Sequence, residues 1–323
     1  MKQQIIDLWK ISFGDTDDFM RLWFDHVYKD EQTFVIRQNG QIVSALQIIP
    51  YEMTYCGTTI PAGYICGVCT LPSERGKGFM SRLMFQAVKE MQHLGYVLAV
   101  LIPATPRLFD VYRRFEFANV FDYAIEEIQS GENLKTRLLR LCEQSEAFQS
   151  VECQRIVSYD HLDLNTLYTY YQTKQNECDL TLLHSANQFE TICRDQILGG
   201  CEIWVGVANQ RPVGLAFANP VKEQTLSIRE IMYDYTETKN LLIQSILNHH
   251  QLHHAKLRIP PTQSNSLPYG MARIINKEQM IDLYRSFYTY SPHPGNYNND
   301  LPSLTQTLLN YDQRKAYMNL MLD

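Results

Sequence analysis

Residues 68–81 read VCTLPSERGKGFMS, and their order decides the fold. The run Ala62–Leu71 ahead of the turn, AGYICGVCTL, is apolar on both faces and bounded by Pro61 and Pro72, as a central strand requires. After the turn, Phe79, Leu83, Ala87, Val88, Met91 and Leu94 fall on one face of a helix that ends near Gly95. The turn between them is Ser73-Glu74-Arg75-Gly76-Lys77-Gly78. Backbone N–H groups at a helix N-terminus lack intrahelical partners, and the helix dipole favours negative charge there. Gly76 and Gly78 let the backbone approach an anion closely, and Arg75 and Lys77 add positive charge. The spacing is neither G-x-x-x-x-G-K-S/T nor G-x-G-x-x-G, because Met80 and Ser81 interrupt the latter.

Working outward, Phe19, Leu22, Trp23, His26 and Val27 share one face of an N-terminal helix that Asp15 is expected to cap. TFVIRQNGQIVSALQIIP reads as two strands about Asn39-Gly40, and YEMTYCG as a further apolar stretch. YVLAVLIP is a strand, PRLFDVYRRF a short helix opened by Pro106, and FANVFDYAIEEI a strand. These elements make a first domain over residues 1–130, followed by a connector over 131–150. The second half repeats the outline over 151–260. Two helical runs precede EIWVGVANQRPVGLAFANP (two strands about a turn), then come LSIREIMYD, the helix TKNLLIQSILNHHQLHH and the strand AKLRIP. YTETKN, which follows LSIREIMYD, has no glycine, so no anion cradle is expected there. Residues 261–323 read as a short tail with two short helical stretches. The fold class is mixed α/β, each half a mostly antiparallel mixed sheet flanked by helices.

The composition agrees with a globular protein of two domains: 323 residues, 45% hydrophobic and 20% charged. A net charge of −6 argues against nucleic acid or an anionic membrane as partner. No apolar run reaches the roughly 18 residues needed to span a bilayer, and MKQQIIDLWK lacks a signal-peptide pattern, so a cytoplasmic location is expected. Of eight cysteines only Cys66 and Cys69 have C-x-x-C spacing, inside the apolar strand, and they read as small buried thiols. The histidines of HHQLHH pair as 249/253 and 250/254, but no carboxylate recurs beside them, and no metal site is expected.

The 68–81 run resembles motif A of the GNAT N-acetyltransferases, Q/R-x-x-G-x-G/A after a V-x-T/V-x-P strand end. Arg75 and Gly78 match the loop, and Val68, Thr70 and Pro72 match the strand. Met80 replaces the usual small residue, which fits the enhanced-intracellular-survival (Eis) branch. Leu8, Trp9, Phe13, Gly14 and Asp15 match that branch's opening, and PAGYICGV and LFDVYRRF are similar to its later segments. The resemblance covers residues 5–127 well and the second half loosely. It implies tandem GNAT folds, the second degenerate, with the family's sterol-carrier-like C-terminal domain truncated or missing.

By this resemblance the substrate is acetyl-coenzyme A. Val68, Cys69 and Thr70 would bond its pantetheine arm through backbone groups. Arg75, Gly76, Lys77, Gly78, Phe79, Met80 and Ser81 would hold its pyrophosphate. Tyr112 matches the tyrosine proposed to protonate the departing thiolate, and Asp323 would supply the C-terminal carboxylate used in some relatives. Glu116 replaces the glycine of the Y-x-x-x-G-F form of this helix end. The expected reaction is direct acetyl transfer to a small-molecule or lysine-like amine, with a homo-oligomer allowed by the family's assemblies. The alternative is a GNAT fold that binds acyl-CoA without transferring the acyl group.

Overall fold

A computed structural model of the chain describes residues 1–129, 151–222, 224–261, 266–288, 300–311, 316–318 and 320–322. The 131–150 connector lies outside them. The mixed α/β fold expected from the sequence is present as one twelve-stranded mixed sheet flanked by helices.

The first repeat opens with helices α1 (Lys2–Phe13) and α2 (Asp17–His26). Thr16, not the expected Asp15, caps α2, its hydroxyl accepting from the Phe19 amide. Asp15 instead accepts from Trp9 Nε1 at 2.6 Å, which locks the loop between the two helices. Strands β1 (Thr33–Gln38) and β2 (Gln41–Tyr55) form the hairpin about Asn39-Gly40. A second tight turn at Cys56-Gly57 leads into β3 (Thr58–Thr70), so YEMTYCG is the far end of β2 rather than a separate element. Helix α3 (Phe79–His93), strand β4 (Leu98–Leu101), helix α4 (Pro106–Arg113) and strand β5 (Ala118–Gln129) follow.

The second repeat has the same outline. Strand β6 (Glu152–Ile156), helix α5 (Leu164–Asn176), the two-residue β7 (Leu182–Leu183) and helix α6 (Ala186–Leu198) lead into the hairpin of β8 (Glu202–Ala208) and β9 (Arg211–Ala218). Then come β10 (Leu226–Tyr233), helix α7 (Thr236–His250) and β11 (His254–Ile259). In each repeat a helix joins two parallel strands, β3 to β4 through α3 and β10 to β11 through α7.

Residues 267–274 of the expected tail form β12 (Leu267–Ile274), which inserts between β4 and β5 and pairs antiparallel with both. The far half of β5 in turn pairs with β11. Each repeat therefore completes its sheet with a strand supplied by the other. Helices α8 (Lys277–Phe287) and α9 (Leu301–Leu308) follow β12. Most of the C-terminal segment 316–322 is buried: Ala316 bridges Phe121, Tyr317 bridges Thr181, and Arg258 and Arg229 donate to the Met318 and Met321 carbonyls at 3.1 Å.

The two sheet faces are packed differently. Leu83, Met84, Ala87 and Met91 of α3 fill one face of the first repeat together with Tyr112, Phe115 and Phe117. On the opposite face Trp9, Trp23 and Phe24 of α1 and α2 meet Tyr171 and Phe189 of α5 and α6, which brings the second repeat over the first.

Candidate active site

The strand at the centre of the site is interrupted at one residue. Gln47 of β2 faces Cys66 but Ala45 faces Cys69, so β3 carries one extra residue at Gly67–Val68. Gly67 has φ +58°, and a Cβ there would stand 2.6 Å from the Trp9 ring, so glycine alone fits. On its other edge β3 pairs with β4 only from Ala62 to Tyr64. Beyond Tyr64 the two parallel strands splay, and residues 65–70 of β3 have no strand partner on that side among the described residues. Val68, Cys69 and Thr70 thus lie on a backbone edge open to an added extended chain. On the closed edge Ser44 Oγ donates to the Cys69 carbonyl at 2.8 Å and lies 2.7 Å from Thr70 Oγ1.

At the end of this strand stands the turn. Gly76 and Gly78 have φ +81° and +78°, with nothing within 4 Å of a Cβ at either, so the surroundings are open and only the backbone conformation demands glycine. Gly78 is the N-cap of α3, no side chain caps the helix, and its first turn holds no acid. The amides of Phe79, Met80 and Ser81 are therefore left for an external anion. Arg75 folds back so that Nε donates to the Thr70 carbonyl at 3.3 Å. Lys77 is paired with Glu74 at 2.9 Å, which offsets part of its charge. The matching helix of the second repeat is different. Asp234, paired with Lys174 at 2.9 Å, precedes α7, and Glu237 stands in its first turn, where α3 has no acid.

Tyr112, on α4, is 6% exposed and packs edge-on to Phe117. Burial, with a smaller contribution from Cys66, pushes its pKa up to about 12. Its hydroxyl has no hydrogen-bond partner among the described residues, yet it is not one of the fully buried unpartnered atoms. Tyr112 shares the α3-side core with Ile65 and Val68, which places it beside the splayed part of β3. Glu116, unexplained by the sequence, has φ +63°, the left-handed conformation that the family's glycine adopts without strain. Its carboxylate pairs with Arg273 of β12 at 2.8 Å, and Arg273 also donates to the Phe115 carbonyl at 2.6 Å. The strand from the far end of the chain thus holds the helix end that carries Tyr112. Asp323 lies outside the described residues.

On the opposite face, between α2, β2 and β3 of the first repeat and α5 and α6 of the second, is a cavity of about 860 Å³. Its aromatic lining is Trp23, Tyr51, Tyr64, Tyr96 and Tyr168. Glu52 is the one carboxylate among the described lining residues, against Lys29 and His26. Tyr64 in the wall is two residues from Cys66, and Trp23 Nε1 donates to Gln47, the partner of Cys66 in the sheet. The cavity therefore reaches the strand where β3 and β4 part. His184 forms part of its lining, with Nδ1 within 3.1 Å of Tyr171 Oη and 2.8 Å of Gln175 Nε2; burial lowers its pKa to about 4 and keeps it neutral. Leu322 lines the same cavity. Neither the cavity nor the Glu116–Arg273 pair was visible in the sequence, because each joins residues more than a hundred positions apart.

Two lesser expectations also meet the structure. Cys66 and Cys69 are free thiols on β3, and burial raises both pKa values, that of Cys69 to about 12. The 249/253 and 250/254 histidine pairings give way to a different grouping: His249 and His250 stand beside a carboxylate after all, that of Glu202.

A strand, a glycine turn and an uncapped helix beside two splayed parallel strands define an acyltransferase domain of the GNAT type, and the comparisons agree. Residues 2–120 match the acetyltransferase (GNAT) domain family, so this segment is a GNAT acetyltransferase domain. No curated protein matches the chain. Among solved structures the chain is similar to a conserved protein of unknown function from Enterococcus faecalis described as a probable N-acyltransferase, with TM-score 0.66 and 14% identity over 88% of this chain and 72% of that one. It is similar to a GCN5-related N-acetyltransferase from Anabaena variabilis, with TM-score 0.67 and 16% identity over 87% and 72%. It is also similar to Eis1 from Mycobacterium abscessus, with TM-score 0.64 and 10% identity over 87% and 73%. At these identities the likeness is one of fold. No helix among the described residues is long and apolar enough to cross a membrane.

Proposed function

We propose that the protein is an acetyl-CoA-dependent N-acetyltransferase that moves the acetyl group directly to an amine held in the cavity between the two repeats. The observation that carries this reading is the open β3 edge running into an uncapped helix N-terminus through Gly76 and Gly78. The backbone of Val68, Cys69 and Thr70 would hold the pantetheine arm as an added strand. The amides of Gly76 to Ser81, with Arg75 and part of the Lys77 charge, would hold the pyrophosphate. Acetyl-CoA supplies the activated acyl group.

Tyr112 keeps its proton at neutral pH, because burial raises its pKa to about 12. Complete transfer to a thiolate of pKa about 8.5 is uphill, so its task is to donate a hydrogen bond to the departing sulfur as negative charge develops. Its unpartnered hydroxyl suits that task. The backbone near Val68 would polarise the thioester carbonyl. The family resemblance would give the Asp323 carboxylate the task of taking the amine proton.

The cavity walls also limit the acceptor. Five aromatic rings and a single carboxylate, opposed by Lys29, favour one amine on a largely neutral, ring-bearing body over a polycation. A thiol-release assay with acetyl-CoA and a panel of amines tests the reading. Steady turnover with a monoamine, and slower turnover with polyamines, is expected. Saturable acetyl-CoA binding with no turnover on any amine would instead support the binding-module alternative.

A further inference from the structure

We propose that Glu202, His249 and His250 form a binding site for a divalent transition-metal ion of the zinc, cobalt or nickel type, on the second repeat and apart from the acyl-transfer site. Glu202 begins β8, and the two histidines end α7. One ligand atom from each residue lies within 4.8 Å of the others. His250 Nε2 and Glu202 Oε2 are 3.1 Å apart. Ligands about 2.0–2.2 Å from a tetrahedral zinc ion stand roughly 3.3 Å from one another, so this pair is already spaced as one edge of such a site. A metal ion would take the place of the proton now shared between them.

The surroundings support the same reading. Trp204 Nε1 donates to Glu202 Oε2 at 2.8 Å, and Arg155 donates to Oε1 at 2.6 Å. Together they fix the carboxylate with Oε2 towards the histidines, the outer support that ligating carboxylates usually have. The His249 ring packs edge-on against Trp204, with centroids 5.6 Å apart, and nearly perpendicular to the His250 ring. His249 is exposed, which leaves the open side of the cluster to water ligands. The C-terminal end of α7 contributes its negative dipole. Two imidazoles and one carboxylate suit a borderline cation rather than magnesium or calcium. The Arg155 charge on Glu202 opposes the ion and weakens its binding. The bound ion would tie the end of α7 to the start of β8.

Calorimetric titration of the full chain with zinc chloride, paired with thermal unfolding, tests this site. The expected result is one ion per chain, a thermal midpoint raised by zinc, and at least tenfold weaker binding in His249→Ala and in His250→Ala. His253 and His254 belong to the same histidine run but not to the cluster, so His253→Ala and His254→Ala should bind as the wild type does. Absence of saturable zinc binding would overturn the proposal. So would equal losses across all four variants, which would mark nonspecific uptake by the histidine run.

Discussion

At residue 116 a side chain occupies a backbone conformation that glycine would adopt freely, and an ion pair with Arg273 offsets the strain. Removing both the pair and the strain therefore differs from removing the pair alone. Glu116→Gly should be more stable than Glu116→Ala by about 1 kcal/mol in denaturant unfolding, because only alanine keeps the left-handed penalty. Equal stabilities would mean that φ +63° costs nothing here. Tyr112 makes a sharper case. Tyr112→Phe keeps the ring packed against Phe117 and removes only the hydroxyl. Its kcat should fall roughly 10²-fold with the KM for acetyl-CoA nearly unchanged, as expected for a bond made in the transition state. A rise in KM at constant kcat would assign the hydroxyl to binding instead. The helix that carries Tyr112 was legible because Pro106 opens it. The role of Glu116 was not, because its partner lies 157 positions away.

At the scale of elements, β3 with its interruption is the part on which the site depends. Gly67→Ala would drive a Cβ to 2.6 Å from the Trp9 ring at a left-handed φ. We expect a loss of about 1–3 kcal/mol in unfolding free energy together with weaker acetyl-CoA binding, because the open strand edge shifts with the bulge. Unchanged binding in a destabilised variant would separate the bulge from the cofactor edge. Elements with local signals were readable: the Asn39-Gly40 hairpin, the amphipathic α3 and the Pro106 start of α4 each follow from neighbouring residues. β12 was not, because Pro268 and Gly270 interrupt it and its partners β4 and β5 lie about 170 and 150 residues earlier. A strand defined by distant pairing leaves little trace in its own sequence.

For the whole molecule, the exchanged strands and the buried C-terminal segment join the two repeats through a polar core. Glu230 is buried with Tyr317 donating to it at 3.1 Å, and burial, the largest influence, raises its pKa from 4.5 to about 7. A carboxyl with a raised folded-state pKa stabilises the fold fully below its unfolded value, and that stability is lost as pH rises through the folded one. Glu230→Gln removes the effect. Its stability relative to the wild type should therefore improve by on the order of 3 kcal/mol between pH 4.5 and pH 7, measured by denaturant unfolding at each pH. A pH-independent difference would show that Glu230 is not held protonated by the fold. The repeat itself was legible from pattern, since each half keeps the order of hairpin, strand, helix and strand. The exchange of strands was not, since both arrangements have the same local sequence.

The central claim is that the amides past Pro72 grip the pyrophosphate of acetyl-CoA, and calorimetric titration with acetyl-CoA tests it most directly. Gly78→Ala is the variant to compare, because its Cβ meets open space and only the backbone at φ +78° is disturbed. Saturable binding of one acetyl-CoA per wild-type chain, weakened at least tenfold in Gly78→Ala, is the result predicted. Absence of binding to the wild type, or an affinity untouched by the substitution, would contradict it.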